Sequence, residues 1–149
     1  MASPAGPGAD VTALFASLSR VSRQADRYLG EVLSELGLQG WEYDVLTTLL
    51  RSGEPHELRP GTIADRLGVS NSAMTNRIDR LEQAGLVGRH LDPRNRRIVI
   101  VRLTNAGRDS AERALAAHCA AARRVLDRLS ADRAAALRDL LDQLGSALA

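Results

Sequence analysis

Residues 62–85 read TIADRLGVSNSAMTNRIDRLEQAG, and this stretch decides the fold. Residues 62–67 predict a short helix, Gly68-Val69-Ser70 a turn, and residues 71–84 a longer helix capped by Ser70 and stopped by Gly85. At about 100° per residue, Met74, Ile78 and Leu81 share one face of the longer helix, which must be the core face. Ser72, Asn76, Asp79 and Gln83 fall roughly opposite, with Thr75 and Arg77 on the flanks. Two helices across a glycine-containing turn form the pattern of a helix-turn-helix, whose second helix enters the major groove of DNA. The outward face is short and polar at its N-terminal end, so it can approach base edges closely. Asn76 is placed to read adenine, and Ser70, Asn71, Ser72, Thr75 and Arg77 to reach bases or phosphates. The competing reading is a solvated helix face.

Immediately downstream, residues 87–91 and 98–103 are β-branched or apolar runs flanking Asp92-Pro93-Arg94-Asn95, the signature of a hairpin. A hairpin directly after a recognition helix is a wing. Its turn carries Arg94, Arg96 and Arg97 around Asn95, and arginines on a hairpin tip suit a narrow, electronegative minor groove. Incidental charge on a surface turn is the alternative. From Arg59 to Arg102 nine arginines face four acids, a net of +5, whereas the rest of the chain holds eleven arginines and fourteen acids, a net of −3. Such a basic centre is the footprint of a polyanion-binding surface or of a merely arginine-rich solvated one.

Upstream, Leu14, Leu18, Val21, Ala25, Leu29, Val32 and Leu36 recur at steps of three and four, predicting a helix over about 11–36 that Gly37 and Gly40 end. A helix over about 41–51 carries Val45, Leu46, Leu49 and Leu50 and stops at Ser52-Gly53-Glu54-Pro55. Leu58 and Arg59 suit a short edge strand. Thr104 is placed to cap a long alanine-rich helix to about Leu129, and Ser130 to cap a final one. The outer helices, about 11–36 and 104–149, carry more leucine than the wing module over about 41–103 needs to cover. A second copy of the same chain is the economical partner for those stripes, and packing within one chain is the alternative. The expected fold is mainly α with a small hairpin wing: one domain over 11–149 behind a disordered tail at 1–10.

Composition removes several function classes. Only 3% of the 149 residues are aromatic, which argues against a stacking platform for single-stranded nucleic acid. A single cysteine, Cys119, excludes a disulfide framework and a cysteine-rich zinc site, and its setting among alanines predicts a buried, inert thiol. No apolar run approaches a membrane span, and the first residues lack the pattern of a signal peptide, so a cytoplasmic protein is expected. His56, His90 and His118 are scattered, no catalytic motif is present, and neither enzyme, metal nor cofactor is expected.

The order of parts resembles the MarR family of bacterial transcriptional regulators over nearly the whole chain. Its most specific stretches are Ile63–Ser70, Met74–Val87 and the wing. The resemblance implies a homodimeric winged helix-turn-helix, usually a repressor whose affinity for duplex DNA falls on binding a small, often anionic or phenolic molecule. It implies that Arg96 sits at the wing tip and that Arg97 pairs with Asp79 to hold the wing against the recognition helix. The family typically carries Asp where this chain has Asn95, which keeps the turn preference and drops a charge.

A narrower likeness, in Trp41–Leu46, Arg51-Ser52-Gly53 and Ala73–Arg77, is to the branch responding to urate or trans-aconitate. It implies an effector site of Asp44, Arg51 and Arg77, with Asp44 holding Arg77 when no ligand is bound; a structural ion-pair network is the alternative. Asp44 and Arg51 are seven residues apart and so share a helix face. Urate responders also use a Trp before or within the first helix, whereas Trp41 is the only Trp here. Two arginines suit a di- or tricarboxylate such as trans-aconitate better. The expected function is therefore a pseudopalindrome-binding repressor released by a small anion. The alternatives are a winged-helix protein-interaction module and a nonspecific architectural DNA binder.

Overall fold

The computed structural model describes residues 7–149, with side chains from Asp10 onward. Helix α1 spans Pro7–Glu35, so Pro7 to Asp10 are helical where the sequence suggested tail, and residues 1–6 lie outside the described region. Proline is at home in a first helical turn, whose N–H groups have no partner, and Asp10 favours the positive end of the helix dipole. Gly37, at φ +74°, stops α1, and the Leu38 N–H donates back to the Leu33 carbonyl at 3.0 Å. Gly40 does not end this helix but begins the next, α2 (Gly40–Leu50), because the Gln39 N–H donates to the Glu42 carboxylate at 2.8 Å and caps α2 one residue earlier.

Strand β1 is Glu57–Leu58, and Arg59, expected in the strand, instead caps α3 (Pro60–Leu67). Gly68 takes the left-handed conformation at φ +64° that ends α3, and Ser70 accepts from the Ala73 N–H at 3.2 Å to start α4 (Asn71–Gln83). Strands β2 (Val87–Asp92) and β3 (Asn95–Leu103) form the wing, with β1 on the outer side of β3, giving a three-stranded antiparallel sheet in the order β1-β3-β2. A bulge at Leu91/Asp92 separates the Leu91–Val99 pair from the Asp92–Asn95 pair, so residues 96–98 lie in an irregular tip. Helix α5 spans Asn105–Leu126 and α6 Ala131–Leu148.

The core lies where α2, α3, α4 and the sheet meet α5. Val45, Leu46, Leu49, Ile63, Met74, Ile78, Leu81 and Val101 are fully buried there. Ala111 and Ala114 keep the buried face of α5 small enough for it to lie close on α2. Gly107 is tighter still: a Cβ there would meet the Leu86 carbonyl oxygen at 1.8 Å. Thr104 makes that approach a joint. Its hydroxyl accepts from the Gly107 N–H at 3.0 Å and donates to the Gly85 carbonyl at 2.7 Å, while its N–H donates to the Leu86 carbonyl at 3.1 Å. The exit of α4 and the start of α5 are thus fastened together.

Helix α6 buries nothing, and Leu137, Leu140, Leu141, Leu144 and Leu148 all face solvent in the single chain. Cys119 on α5 is also exposed, correcting the expectation of a buried thiol: α5 turns its contact face of Ala111, Ala114 and Ala121 inward and leaves Cys119 outside it. No described helix is long and apolar enough to cross a membrane.

Candidate nucleic-acid interface

The periodicity of α4 sorts its side chains as expected. Met74, Ile78 and Leu81 are fully buried, whereas Asn71, Ser72, Thr75 and Asn76 are exposed on the outside. The hydroxyls are partly engaged: Thr75 Oγ1 donates to the Asn71 carbonyl at 2.9 Å, and Ser70 Oγ caps the helix and lies 3.2 Å from Ser72 Oγ. Both Ser70 and Thr75 keep acceptor capacity but spend part of their chemistry on the helix itself. The Asn76 side chain hydrogen-bonds to no other described residue, so both its amide donor and its acceptor are available.

Ser72, Asn76 and Arg77 converge with Trp41, Ala73 and Arg80 on one open groove of about 450 Å³. Arg77 is half-buried with its guanidinium 5.9 Å from the Trp41 ring centre, and the Arg80 guanidinium stands 4.8 Å from the same ring. Sequence reasoning missed Arg80, although its position three residues after Arg77 put both on one flank. It also missed Trp41 as a contact of α4, for which no local pattern exists.

At the wing, Arg94, Asn95, Arg96 and Arg97 are all exposed. The Asp92 carboxylate accepts from the Arg94 N–H at 2.8 Å, and the Asn95 side-chain carbonyl from the Arg97 N–H at 3.1 Å, so both polar side chains fold the tip. The expected tether is corrected. Asp79 is held not by Arg97 but by Arg89 of β2, which also grips Glu82 with its guanidinium and its backbone N–H, the latter at 3.2 Å. The physical reason is topological: β2 follows α4 through one turn and runs beside it, whereas Arg97 lies in the bulged tip. Among the described residues the sheet's outer edge is closed by Glu57, whose carboxylate accepts from Arg102 Nε at 2.8 Å and lies 3.2 Å from His90 Nε2.

The three effector candidates come together only in part. Asp44 and Arg51 lie on α2 and at its C-terminal cap, both exposed. Although Asp44 is exposed as a residue, partial desolvation of its carboxyl raises its pKa, and the positive charges of Arg77 and His118 offset part of that rise. Yet no ion pair within 4 Å joins Asp44, Arg51 or Arg77 among the described residues, so the expected Asp44–Arg77 contact is absent. The aromatic face of Trp41 has taken the place of the carboxylate beside Arg77. Next to Asp44 in sequence, the Tyr43 ring stacks on His118 of α5 at 4.7 Å between centroids. No group of three or more His, Cys, Asp or Glu side chains suited to a metal ion occurs among the described residues.

Comparison with known proteins places this geometry. A family model described as MarR family matches residues 36–98. The HTH-type transcriptional regulator PecS of Dickeya dadantii is 37% identical over 131 residues, covering 88% of this chain and 79% of PecS. A mutant of MarR from E. coli, solved with operator DNA, superposes with a TM-score of 0.79 at 26% identity, over 94% of this chain and 99% of that one. CouR from Rhodococcus jostii, bound to p-coumaroyl-CoA, superposes with a TM-score of 0.73 at 29% identity, over 85% of this chain and 87% of that one.

Proposed function

Because the chain belongs to the MarR family of DNA-binding transcriptional regulators, we propose that it is a homodimeric repressor of a pseudopalindromic operator, released by a small anion. The observation that carries this reading is the outer side of α4: Ser72, Asn76, Arg77 and Arg80 face one open groove, and neither arginine has a carboxylate partner within 4 Å among the described residues. Over a rigid inner face of Met74, Ile78 and Leu81, that surface enters a major groove with Asn76 toward base edges. Ser70, Asn71, Ser72 and Thr75 reach bases or phosphates, and Arg94, Asn95 and Arg96 follow the flanking minor groove. The operator complex of the E. coli relative supports this use of the fold.

The apolar face of α6 supports the dimer. Five leucines of that helix are exposed in the single chain, more than a solvated helix of 18 residues presents without a partner. The second copy covers them with its own α1, α5 and α6, and two-fold symmetry in the protein reads a palindrome in the DNA.

For release, Arg51 and Arg77 receive a di- or tricarboxylate beside Asp44. Arg77 is the shared residue: its helix is the reading helix, and its guanidinium leaves the Trp41 ring for the incoming anion. The small-molecule complex of CouR supports ligand response within the fold. Coupling of this kind is worth about 1–3 kcal/mol, which loosens DNA roughly 5–150-fold.

The test is a mobility-shift titration on the DNA upstream of the chain's own gene against scrambled competitor. Citrate, trans-aconitate and urate are then added at constant ionic strength, because anions also weaken DNA binding by screening. Selective binding relieved by one of these anions supports the proposal. Equal competition by scrambled DNA makes the chain an architectural binder, and no binding makes the basic face a protein-interaction surface. If Arg51→Ala responds to every anion like the wild type, the effector site is wrong and the repressor reading stands without it.

A further inference from the structure

Two guanidinium groups sharing one indole ring, neither in an ion pair among the described residues, is an arrangement that neither the hydrophobic core nor helix α4 requires. Trp41 is half-buried at the start of α2 and packs against the core on one side. Its ring is fixed in azimuth because the indole N–H donates to Gln39 Oε1 at 2.6 Å. Gln39 is fixed in turn, as its backbone N–H donates to the Glu42 carboxylate. The ring is therefore a stationary plate. Against it stand Arg80 at 4.8 Å and Arg77 at 5.9 Å, one turn apart on α4. The ring's negative face favours each cation, and an anion in the groove that both arginines line offsets the repulsion between two like charges. Neither arginine has an ion-pair partner within 4 Å among the described residues, and the groove they line opens on the DNA-facing side of α4 beside Ser72 and Asn76.

We propose that Trp41 is a positioning residue that holds Arg77 and Arg80 side by side as one receptor for a DNA backbone phosphate. The proposal rests on the DNA-binding reading and adds Arg80 as a contact and Trp41 as the group that aims it. Long arginine side chains lose much rotamer freedom on binding, and stacking them beforehand removes part of that loss. The effect is independent of base sequence, since it acts on phosphate alone.

The experiment measures affinity for a random-sequence duplex and for the upstream DNA, across a salt series, in five proteins: wild type, Trp41→Leu, Trp41→Phe, Arg77→Gln/Arg80→Gln, and the last combined with Trp41→Leu. Trp41→Leu should weaken both duplexes about two- to fivefold, the range of one cation–π contact, with Trp41→Phe between it and wild type. In the Arg77→Gln/Arg80→Gln background the log–log salt slope should shrink by about 0.9 per subunit for one phosphate no longer neutralised, and Trp41→Leu should cost nothing further. Trp41 is the only tryptophan, so its emission reports the site directly. It should change when duplex is added to the wild type and stay constant in Arg77→Gln/Arg80→Gln. If Trp41→Leu fails to fold, Trp41→Phe carries the same comparison.

A Trp41 effect that persists without the two arginines would make its role structural and overturn the proposal, as would the absence of any effect. Inorganic phosphate at constant ionic strength that changes the emission as the duplex does would overturn it too, making the groove a free-anion site. A wild-type chain that binds no duplex would instead sink the DNA-binding reading itself, a result distinct from all of these.

Discussion

Arg89 on β2 holds Asp79 on α4, and reaches Glu82 one turn further along the same helix. The wing is thereby clamped to α4 at its base rather than at its tip. Arg89 is only 26% exposed, while its two acids are about half exposed, so the network lies between a surface pair and a buried one. Arg89→Gln should lower stability by about 1 kcal/mol and leave Asp79 and Glu82 to repel each other. Arg97→Ala should leave the urea midpoint where it was. A larger loss from Arg97→Ala than from Arg89→Gln would restore the tether to the tip.

The close approach at Gly107 gives a second expectation. Gly107→Ala drives a methyl group into the Leu86 carbonyl, a backbone atom that cannot swing aside. The cost should exceed about 2 kcal/mol by urea denaturation, in the range of overpacking mutations. Gly30→Ala in the middle of α1, where an added Cβ meets nothing within 4 Å, should instead stabilise the helix by about 1 kcal/mol.

Asp44 predicts a pH dependence whose sign is fixed. Burial raises its carboxyl pKa, with Arg77 and His118 offsetting only part of the rise. The folded chain then binds this proton more readily than the unfolded chain. The contribution is fully present below the unfolded value, about 4, and is lost as pH rises through the folded one. Asp44→Asn should therefore melt higher than wild type at neutral pH, modestly because the residue is exposed, and the gap should close on acidification. A gap that widens toward low pH would mean that Asp44 is held as a carboxylate by a partner.

The exposed stripe on α6 is tested by charge. If the proposed dimer forms through α6, the wild type should sediment as a dimer and Leu140→Glu combined with Leu144→Glu as a monomer at the same concentration, with helical content by circular dichroism little changed. Operator affinity should fall with the dimer, since two half-sites are then bound separately. A double variant that remains dimeric would place the interface elsewhere.

Specificity and positioning should separate on α4 and the wing. Asn76→Ala should cost about 1–3 kcal/mol on the operator and little on random DNA, if it reads a base. Arg96→Ala should weaken all duplexes alike and reduce the salt slope by about 0.9 for each phosphate it no longer neutralises. Equal losses from Asn76→Ala on both duplexes would reduce it to a positioning residue.

Features that depend on near neighbours in sequence were legible from the residues alone. Ser70, Thr104 and Ser130 each accept a hydrogen bond from the N–H three residues on, as their place before a periodic run predicts. Met74, Ile78 and Leu81 are inside because period alone puts them on one face. What the sequence hid lies between elements. The partner of Asp79 depends on a bulge that removes Arg97 from reach, and the plate under Arg77 and Arg80 comes from the far end of α2. The exposure of Cys119 depends on which side of α5 meets α2, and alanines on both sides of it left that side unmarked. Gly40 looked like a stop because glycine serves helix starts and ends alike; only the Gln39–Glu42 cap distinguishes them.

The Thr104 hydroxyl ties the exit of α4 to the helix that leads into the leucine stripe of α6. With the exit of α4 bonded through Gly85 and Leu86 to the Thr104 cap of α5, the two helices are tied directly to each other. In a dimer built on α5 and α6, a tilt of one subunit against the other swings each reading helix through the same angle. The distance between operator half-sites, one helical turn of about 34 Å or a multiple of it, then becomes a dimension of the scaffold rather than of the reading helix. On the proposed reading, substitutions on α4 should change which bases are read, whereas a change in half-site spacing should be written in the leucines of α6.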